Sequence, residues 1–326
     1  MPDIVAMGEL LVDFTHFTTD TGETAYKQNA GGAPANVVCM AAKLGGKTGF
    51  IGKIGRDTFG FYLQSVLRQC GVDTAGLVLD PNYMTTMAFV TNDEDGERHF
   101  DFYRSPELSA DLNIRYGEVN RAMIDECKIL HFGSLCLTDE PAKAAVMNAV
   151  EYAKVKEKIV SYDPNWRPAL WRNREQAVLT MRSVLKYVDI VKVSEDELQL
   201  LTECSTLVAA IAKLFTYGIK IACITQGAKG CIVATPRTID TYPAYKVKIV
   251  DTLGAGDSFL GGFLYKLAAI GKPIEELDRT DLGEMALLGN ACGALTSSRK
   301  GAIPAMPSAE ETRELVRTQD LSGKKE

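Results

Sequence analysis

The sequence predicts an α/β protein, a doubly wound and mostly parallel sheet flanked by helices, with a small β-sheet lid. Three observations predict it. Strand-like and helix-like segments alternate along the 326 residues. The strand-like runs are near-continuously apolar, as in parallel sheets covered on both faces. One section, from about 85 to 105, breaks the alternation with a hairpin pattern.

Taken in order, Ile4–Phe14 reads as the first strand, and a non-helical stretch, His16 to Asn29, follows it. Ala33–Leu44 reads as a helix and Thr48–Gly55 as a strand. The next helix places Leu63, Val66, Leu67 and Cys70 on one face at i, i+3, i+4 and i+7. Thr85–Asn92 and Arg98–Arg104 are strand-like runs joined by Asp93-Glu-Asp-Gly96, with Phe100 and Phe102 alternating against His99 and Asp101. Strand–helix pairs resume at Lys128–Ser134 with Pro141–Lys156, Ile159–Asp163 with Glu175–Val188, and Ile190–Ser194 with Glu195–Thr202. Ile219–Thr225 is a further strand. The β-branched run Lys246–Val250 reads as a strand feeding a helix that reaches about Ile270, and residues 321–326 read as a frayed end. The expected organisation is one domain over 1–326, with a lid from about 15–30 and 85–105 that closes over a site or pairs two copies through its open edge.

Composition narrows the function. An apolar fraction of 46% is ordinary for a globular protein. No apolar run approaches the length of a membrane span, and the acidic start, with Asp3, lacks the basic region of a leader, so the cytoplasm is the expected compartment. A net charge of −6 without a basic cluster argues against nucleic acid and membrane as partners. Eight cysteines show no Cys-x-x-Cys spacing and read as buried thiols; the three histidines show no metal-ligand spacing.

The most informative motif is Asp251-Thr-Leu-Gly-Ala-Gly-Asp257. Gly254, Ala255 and Gly256 fall where a helix begins, and its unpaired N–H groups and positive dipole end form an anion site. Asp257 then brings a carboxylate into the same turn. Phosphoryl transfer gives a reason for it: amides stabilise charge on the moving phosphoryl group while a carboxylate orients and deprotonates the attacking hydroxyl. An acid that merely complements the dipole is the other reading, and the residues alone leave both open.

Two further elements accompany it. Gly31-Gly-Ala-Pro-Ala-Asn36 opens a helix, where the double glycine lets a small ligand approach the backbone and the Asn36 carboxamide can both donate to and accept from a hydroxyl. Gly8-Glu-Leu-Leu-Val-Asp13 places an acid at the end of the first strand, where open α/β sheets bind ligands. By contrast, Ala41-Ala-Lys-Leu-Gly-Gly-Lys-Thr48 is one residue short of a P-loop and ends a helix rather than opening one. Neither a Gly-x-Gly-x-x-Gly after a strand nor a Gly-x-Ser-x-Gly elbow is present.

Together, the Asp-Thr-x-Gly-Ala-Gly-Asp and Gly-Gly-x-x-x-Asn blocks resemble the ribokinase-like (PfkB) family of sugar kinases, over nearly the whole chain. The resemblance implies Asp257 as the base that takes the sugar hydroxyl's proton and Gly254, Ala255 and Gly256 as the anion hole. It implies sugar binding by Asp13, Gly32 and Asn36, with Gly31 supporting the turn. Asp163-Pro-Asn-Trp-Arg167 is similar to a strand-end block of fructokinases and ketodeoxygluconate kinases, which points Asn165 and Arg167 at the site. Thr225-Gln-Gly-Ala-Lys-Gly230 resembles the nucleotide-binding turn, with Thr225, Gly227 and Gly230 near ATP, and Asn290 falls on the helix that borders the adenine.

Asp251 and Thr252 resemble part of a loop that holds a monovalent cation, potassium, in relatives. Where many relatives carry Asn-x-x-Glu in a segment governing magnesium and phosphate binding, this chain has Ser194-Glu-Asp-Glu197, and the resemblance implies that Ser194 and Glu197 serve ATP, with Glu197 reaching Mg²⁺ through water. The chemistry calls for a divalent cation bridging the terminal phosphates of ATP. For the sugar, the resemblance favours fructose, with 2-keto-3-deoxygluconate as the alternative and other sugar or nucleoside kinases, or a non-catalytic sensor, behind them. Arg104, at the end of the lid strand, is the expected selector, gripping a ketose hydroxyl or, with Arg167, a carboxylate.

Overall fold

The computed structural model describes residues 1–92 and 98–319. The Asp93–Gly96 turn, the side chains of His99 and Phe100, and the expected frayed end at 321–326 lie outside the described residues.

Among the described residues, thirteen strands form two sheets. The large one contains β1 (Ile4–Met7), β4 (Thr48–Gly55), β5 (Val72–Asp80), β8 (Ile129–Gly133), β9 (Ile159–Asp163), β10 (Ile190–Ser194), β11 (Ile221–Thr225), β12 (Cys231–Ala234) and β13 (Ile239–Tyr242). The small one contains β2 (Leu11–Thr18), β3 (Thr24–Gly31), β6 (Met87–Asn92) and β7 (Arg98–Tyr103). The large sheet runs β13-β12-β11-β10-β9-β8-β1-β4-β5, parallel from β5 to β11, with β12 and β13 antiparallel at one edge. The chain grows outward from β1 in both directions, so β1 marks the switch point at which such sheets bind ligands beyond their strand ends.

The apolar strands are explained by burial on both faces. β1, β4 and β8 are buried along their whole length. One core packs the helices Ala142–Val155, Arg174–Ser183, Glu195–Thr202 and Leu207–Phe215 against one face. The other packs Ala33–Lys43, Thr58–Gln69, Ala255–Ile270 and Arg279–Ser297 against the opposite face. At about 25 cal/mol per Å² of apolar surface removed from water, this two-sided burial is the main stabilising term. No single helix among the described residues is long and apolar enough to cross a membrane.

Three expectations are corrected. The first strand is broken: Gly8–Leu10 turns a corner, so β1 belongs to the large sheet and β2 to the small one, and Asp13 lies inside β2 rather than at a core strand's end. Residues 246–250 form no strand. Lys246 N–H donates to Gln319 Oε1 and the Val250 and Asp251 N–H groups donate to the Ser297 carbonyl, partners that take the place of a ladder. Strands β5 and β13 are interrupted by charged residues, and β12 is apolar but only four residues long, so none of the three stands out as an apolar run.

The small sheet draws on both expected stretches, with β2 antiparallel to β3, parallel to β6, and β6 antiparallel to β7. Phe14 of β2 stacks on Phe89 of β6 at 5.1 Å and meets Phe59 of helix Thr58–Gln69 edge-on at 5.6 Å, which seats the small sheet on the large domain.

Candidate active site

The first turn of helix Ala255–Ile270 stands between two cavities. Gly254 caps it in the left-handed region, φ 72°, a conformation glycine adopts without strain. On one side a cavity of about 640 Å³ is lined by Thr225, Gly227, Gly230, Thr252, Ala255, Gly256 and Asn290. On the other, a cavity of about 60 Å³ is lined by Glu9, Asp13, Gly32, Asn36, Phe102, Asn165, Arg167, Gly254 and Asp257. One helical turn therefore presents Ala255 and Gly256 to the large cavity and Gly254 and Asp257 to the small one.

The small cavity is polar and incompletely paired. Asn36 Nδ2 donates to Asp257 Oδ2 at 2.8 Å, which fixes the carboxylate. Asn36 Oδ1, Asn165 Nδ2 and Glu9 Oε2 are buried without a hydrogen-bond partner. Buried polar atoms in folded proteins are nearly always paired, so three orphans on the walls of one cavity call for a ligand rich in donors and acceptors. Gly32, at φ 110°, lets the backbone turn beside the cavity, and Gly31 ends β3 opposite Leu11.

The strand-end block is held from two sides. Asp163 Oδ1 accepts from Asn165 N–H at 3.3 Å, and Asn165 adopts φ 48°. Glu197 Oε1 accepts from Trp166 N–H at 2.8 Å, while its Oε2 accepts from Ser194 N–H at 2.8 Å and Ser194 Oγ accepts from Glu197 N–H at 3.1 Å. Ser194 is thus half of a capping box, and Glu197 ties β10 to the turn that presents Arg167. Burial pushes the Glu197 carboxyl up, but Lys192 and the two N–H donors outweigh it and leave it below the usual range.

Arg104 is placed differently from the sequence expectation. It does not line the small cavity; its guanidinium is 2% exposed and paired with Asp111 at 2.8 Å. Its Nη1 donates to Thr138 Oγ1 at 3.1 Å and its Nη2 to the Leu135 carbonyl at 2.9 Å. Arg104 therefore anchors the end of β7 into the core. Asn290 likewise uses its Nδ2 within the protein, donating to the Tyr242 and Pro243 carbonyls at the large cavity's rim. Asp251 accepts from Leu253 N–H at 2.8 Å and from Gly301 N–H at 2.9 Å, which ties the loop before the helix to the 298–302 turn.

Two charged groups were not singled out from the sequence. Glu9 sits beyond β1, with Oε1 accepting from Ala33 N–H at 3.0 Å. Burial pushes its carboxyl up to about 7, against the pull of backbone donors and of Arg104. Lys192, in the middle of β10, pairs with Asp163 at 3.0 Å. Burial opposes its charge, yet Asp163, Glu197 and Asp257 hold its pKa above the ordinary range. Burial also pushes Asp163 up to about 7 despite Lys192, so the ammonium is the fixed charge of the pair. The signal available was a lysine flanked by valines in a strand buried on both faces, which requires a partner.

The Glu9 shift makes a pH prediction. A carboxyl whose folded pKa lies above its unfolded value opposes folding once it ionises: stability is full below about 4.5 and falls as pH rises toward 7. Glu9→Gln is expected to lessen that loss by on the order of a few kcal/mol, read from urea midpoints of the two proteins at pH 5 and 8. Parallel midpoints would sink the assignment.

The family model for the pfkB family carbohydrate kinase matches residues 1–309. The chain is 41% identical over 321 residues to probable fructokinase-5 of Arabidopsis thaliana, covering 97% of this chain and 98% of that protein. Among solved structures, a fructokinase with bound ATP from Xylella fastidiosa superposes with TM-score 0.91 at 32% identity, covering 98% of this chain and 100% of the other. A fructokinase from Vibrio cholerae O395 in fructose, ADP and calcium ion bound form gives 0.87 at 32%, covering 96% and 98%. With a ribokinase-like sheet, a helix turn between two cavities and these likenesses along its length, the chain belongs to the pfkB family of carbohydrate kinases, enzymes that transfer a phosphoryl group to a sugar hydroxyl.

Proposed function

We propose that the protein is a fructokinase, transferring the terminal phosphoryl group of ATP to a hydroxyl of D-fructose. The observation that carries the reading is the helix turn shared by the two cavities, with Asp257 on the small side. ATP occupies the large cavity, its phosphates directed at the Gly254–Gly256 amides by the turn at Thr225, Gly227 and Gly230, with Asn290 shaping the base end. The sugar occupies the small cavity against Asp13, Gly31–Gly32, Asn36, Asn165 and Arg167. Asp257, oriented by Asn36, takes the hydroxyl proton as the sugar oxygen bonds to phosphorus and the bond to ADP breaks.

The charge of the small cavity favours a neutral sugar over a keto acid. Its lining holds three acids, Glu9, Asp13 and Asp257, and one cation, Arg167. Arg104, the second cation a carboxylate clamp would use, is spent on Asp111.

No group of three or more His, Cys, Asp or Glu among the described residues forms a metal cage. Mg²⁺ would be held by the ATP phosphates, whose charge it would neutralise, with Glu197 reaching it through water. Asp251 and Thr252 border the place proposed for potassium. Eight free thiols suit the reducing cytoplasm. A homodimer pairing the small sheets is the proposed assembly, and light scattering that finds only monomer at micromolar concentration would reject it.

The deciding experiment is ADP production with Mg²⁺ and ATP against fructose, 2-keto-3-deoxygluconate, ribose, tagatose and adenosine. Selective turnover of fructose is the expected result; preference for the keto acid would overturn the charge argument.

A further inference from the structure

Lys192 stands behind the anion hole. It is 7% exposed, in a strand whose neighbours Val191 and Val193 are in the core. Burying a lysine costs several kcal/mol unless the geometry compensates, and a core strand gains nothing from it that a valine would not supply. The placement of its Nζ gives the reason. The nitrogen lies 3.0 Å from Asp163 Oδ2, and a Cβ on Gly256 would come within 2.9 Å of it. Gly256 is an ordinary helical residue without positive φ, so the absence of a side chain there serves contact rather than backbone freedom. The ammonium is separated from the first helical turn only by that missing side chain.

The charges around it fit an incoming anion. Asp163 faces Lys192 from β9, Glu197 from helix Glu195–Thr202 and Asp257 from helix Ala255–Ile270, while His131 of β8 and Cys223 of β11 are its other titratable neighbours. Burial lowers the His131 pKa to about 3 and raises that of Cys223, so both are neutral at pH 7. Glu197 and Asp257, joined by Asp163 where it is ionised, would repel a phosphoryl group at the anion hole, and Lys192 is the cation that offsets them.

We propose that Lys192 is the fixed cation of phosphoryl transfer: its ammonium backs the Gly254–Gly256 amides and stabilises the charge that develops on the transferring group, with Asp163 holding it in place. The proposal rests on the kinase reading and deepens it. Preorganised charge of this kind favours the transition state over bound ATP.

The test compares the affinity of Lys192→Met and wild type for ATP and for ADP with aluminium fluoride, each with Mg²⁺ and fructose, by titration calorimetry. Loss of one such electrostatic contact lowers turnover by about 10²–10³-fold. The variant is therefore expected to lose on the order of 10²-fold in fluoroaluminate affinity while ATP affinity changes several-fold. Lys192→Met with Asp163→Asn removes both buried charges together and replaces the single variant if that one fails to fold. Gly256→Ala, which crowds the ammonium, is expected to show a smaller loss in the same direction. Equal losses for both ligands, or no loss, would overturn the proposal and leave Lys192 a structural partner of Asp163. A wild type that binds the fluoroaluminate complex no better than ADP would overturn the kinase reading with it, which separates the two failures.

Discussion

Asp257→Asn is expected to lower kcat by about 10²–10⁴-fold, the contribution of a positioned general base, while ATP still binds. The substitution keeps the size and one acceptor oxygen of the side chain, so the 2.8 Å contact from Asn36 Nδ2 can persist and the helix turn keeps its place. What disappears is the capacity to take a proton. ADP production at saturating fructose, with ATP affinity measured on the same preparation, separates the two effects. Near-normal turnover would falsify the base and return Asp257 to the role of an acid that complements the helix dipole.

Arg104→Met is expected to cost about 3–5 kcal/mol of stability, because it leaves Asp111 as an unpaired charge in the core. Asp111 is 1% exposed and also accepts from Thr86 Oγ1, so it cannot turn to water for a replacement. The end of β7 would lose its ties to Leu135 and Thr138 as well. Adding Asp111→Asn should recover part of the loss, since the stranded charge goes with it. Urea unfolding of the single and double variants reads this directly. If Arg104 instead gripped the sugar, the KM for fructose would rise with stability unchanged, and the anchor assignment would fall.

These two residues also show what the sequence makes legible. The Asp257 turn is readable because its parts are contiguous: glycine, small residue, glycine and acid follow one another, and helix-end physics assigns them together. Helix Glu195–Thr202 and strand Ile190–Ser194 are readable for the same reason, since periodicity and burial are local. Arg104 is not. Its acceptors at 111, 135 and 138 meet it only once the small sheet is seated, so nothing near it in sequence distinguishes an anchor from a selector. Lys192 and Asp163 are 29 residues apart and meet because β9 and β10 are neighbours. The corner at Gly8–Leu10 escaped because both strands it joins are apolar, and a continuous run hides a change of sheet.

The lining of the two cavities is also ordered along the chain. Apart from Leu253, Gly254 and Asp257, the small cavity draws on residues 9–167, and the large one draws on residues 225–297. The interval between them contributes to neither wall. A gene recombining within that interval would hand its descendants one parent's residues 9–167 of the sugar side and the other's nucleotide side, joined at a helix turn and at a Lys192–Asp163 pair that both parents share. Acceptor preference could then be inherited separately from the use of ATP, and a lineage could acquire a new sugar without rebuilding the step that moves the phosphoryl group.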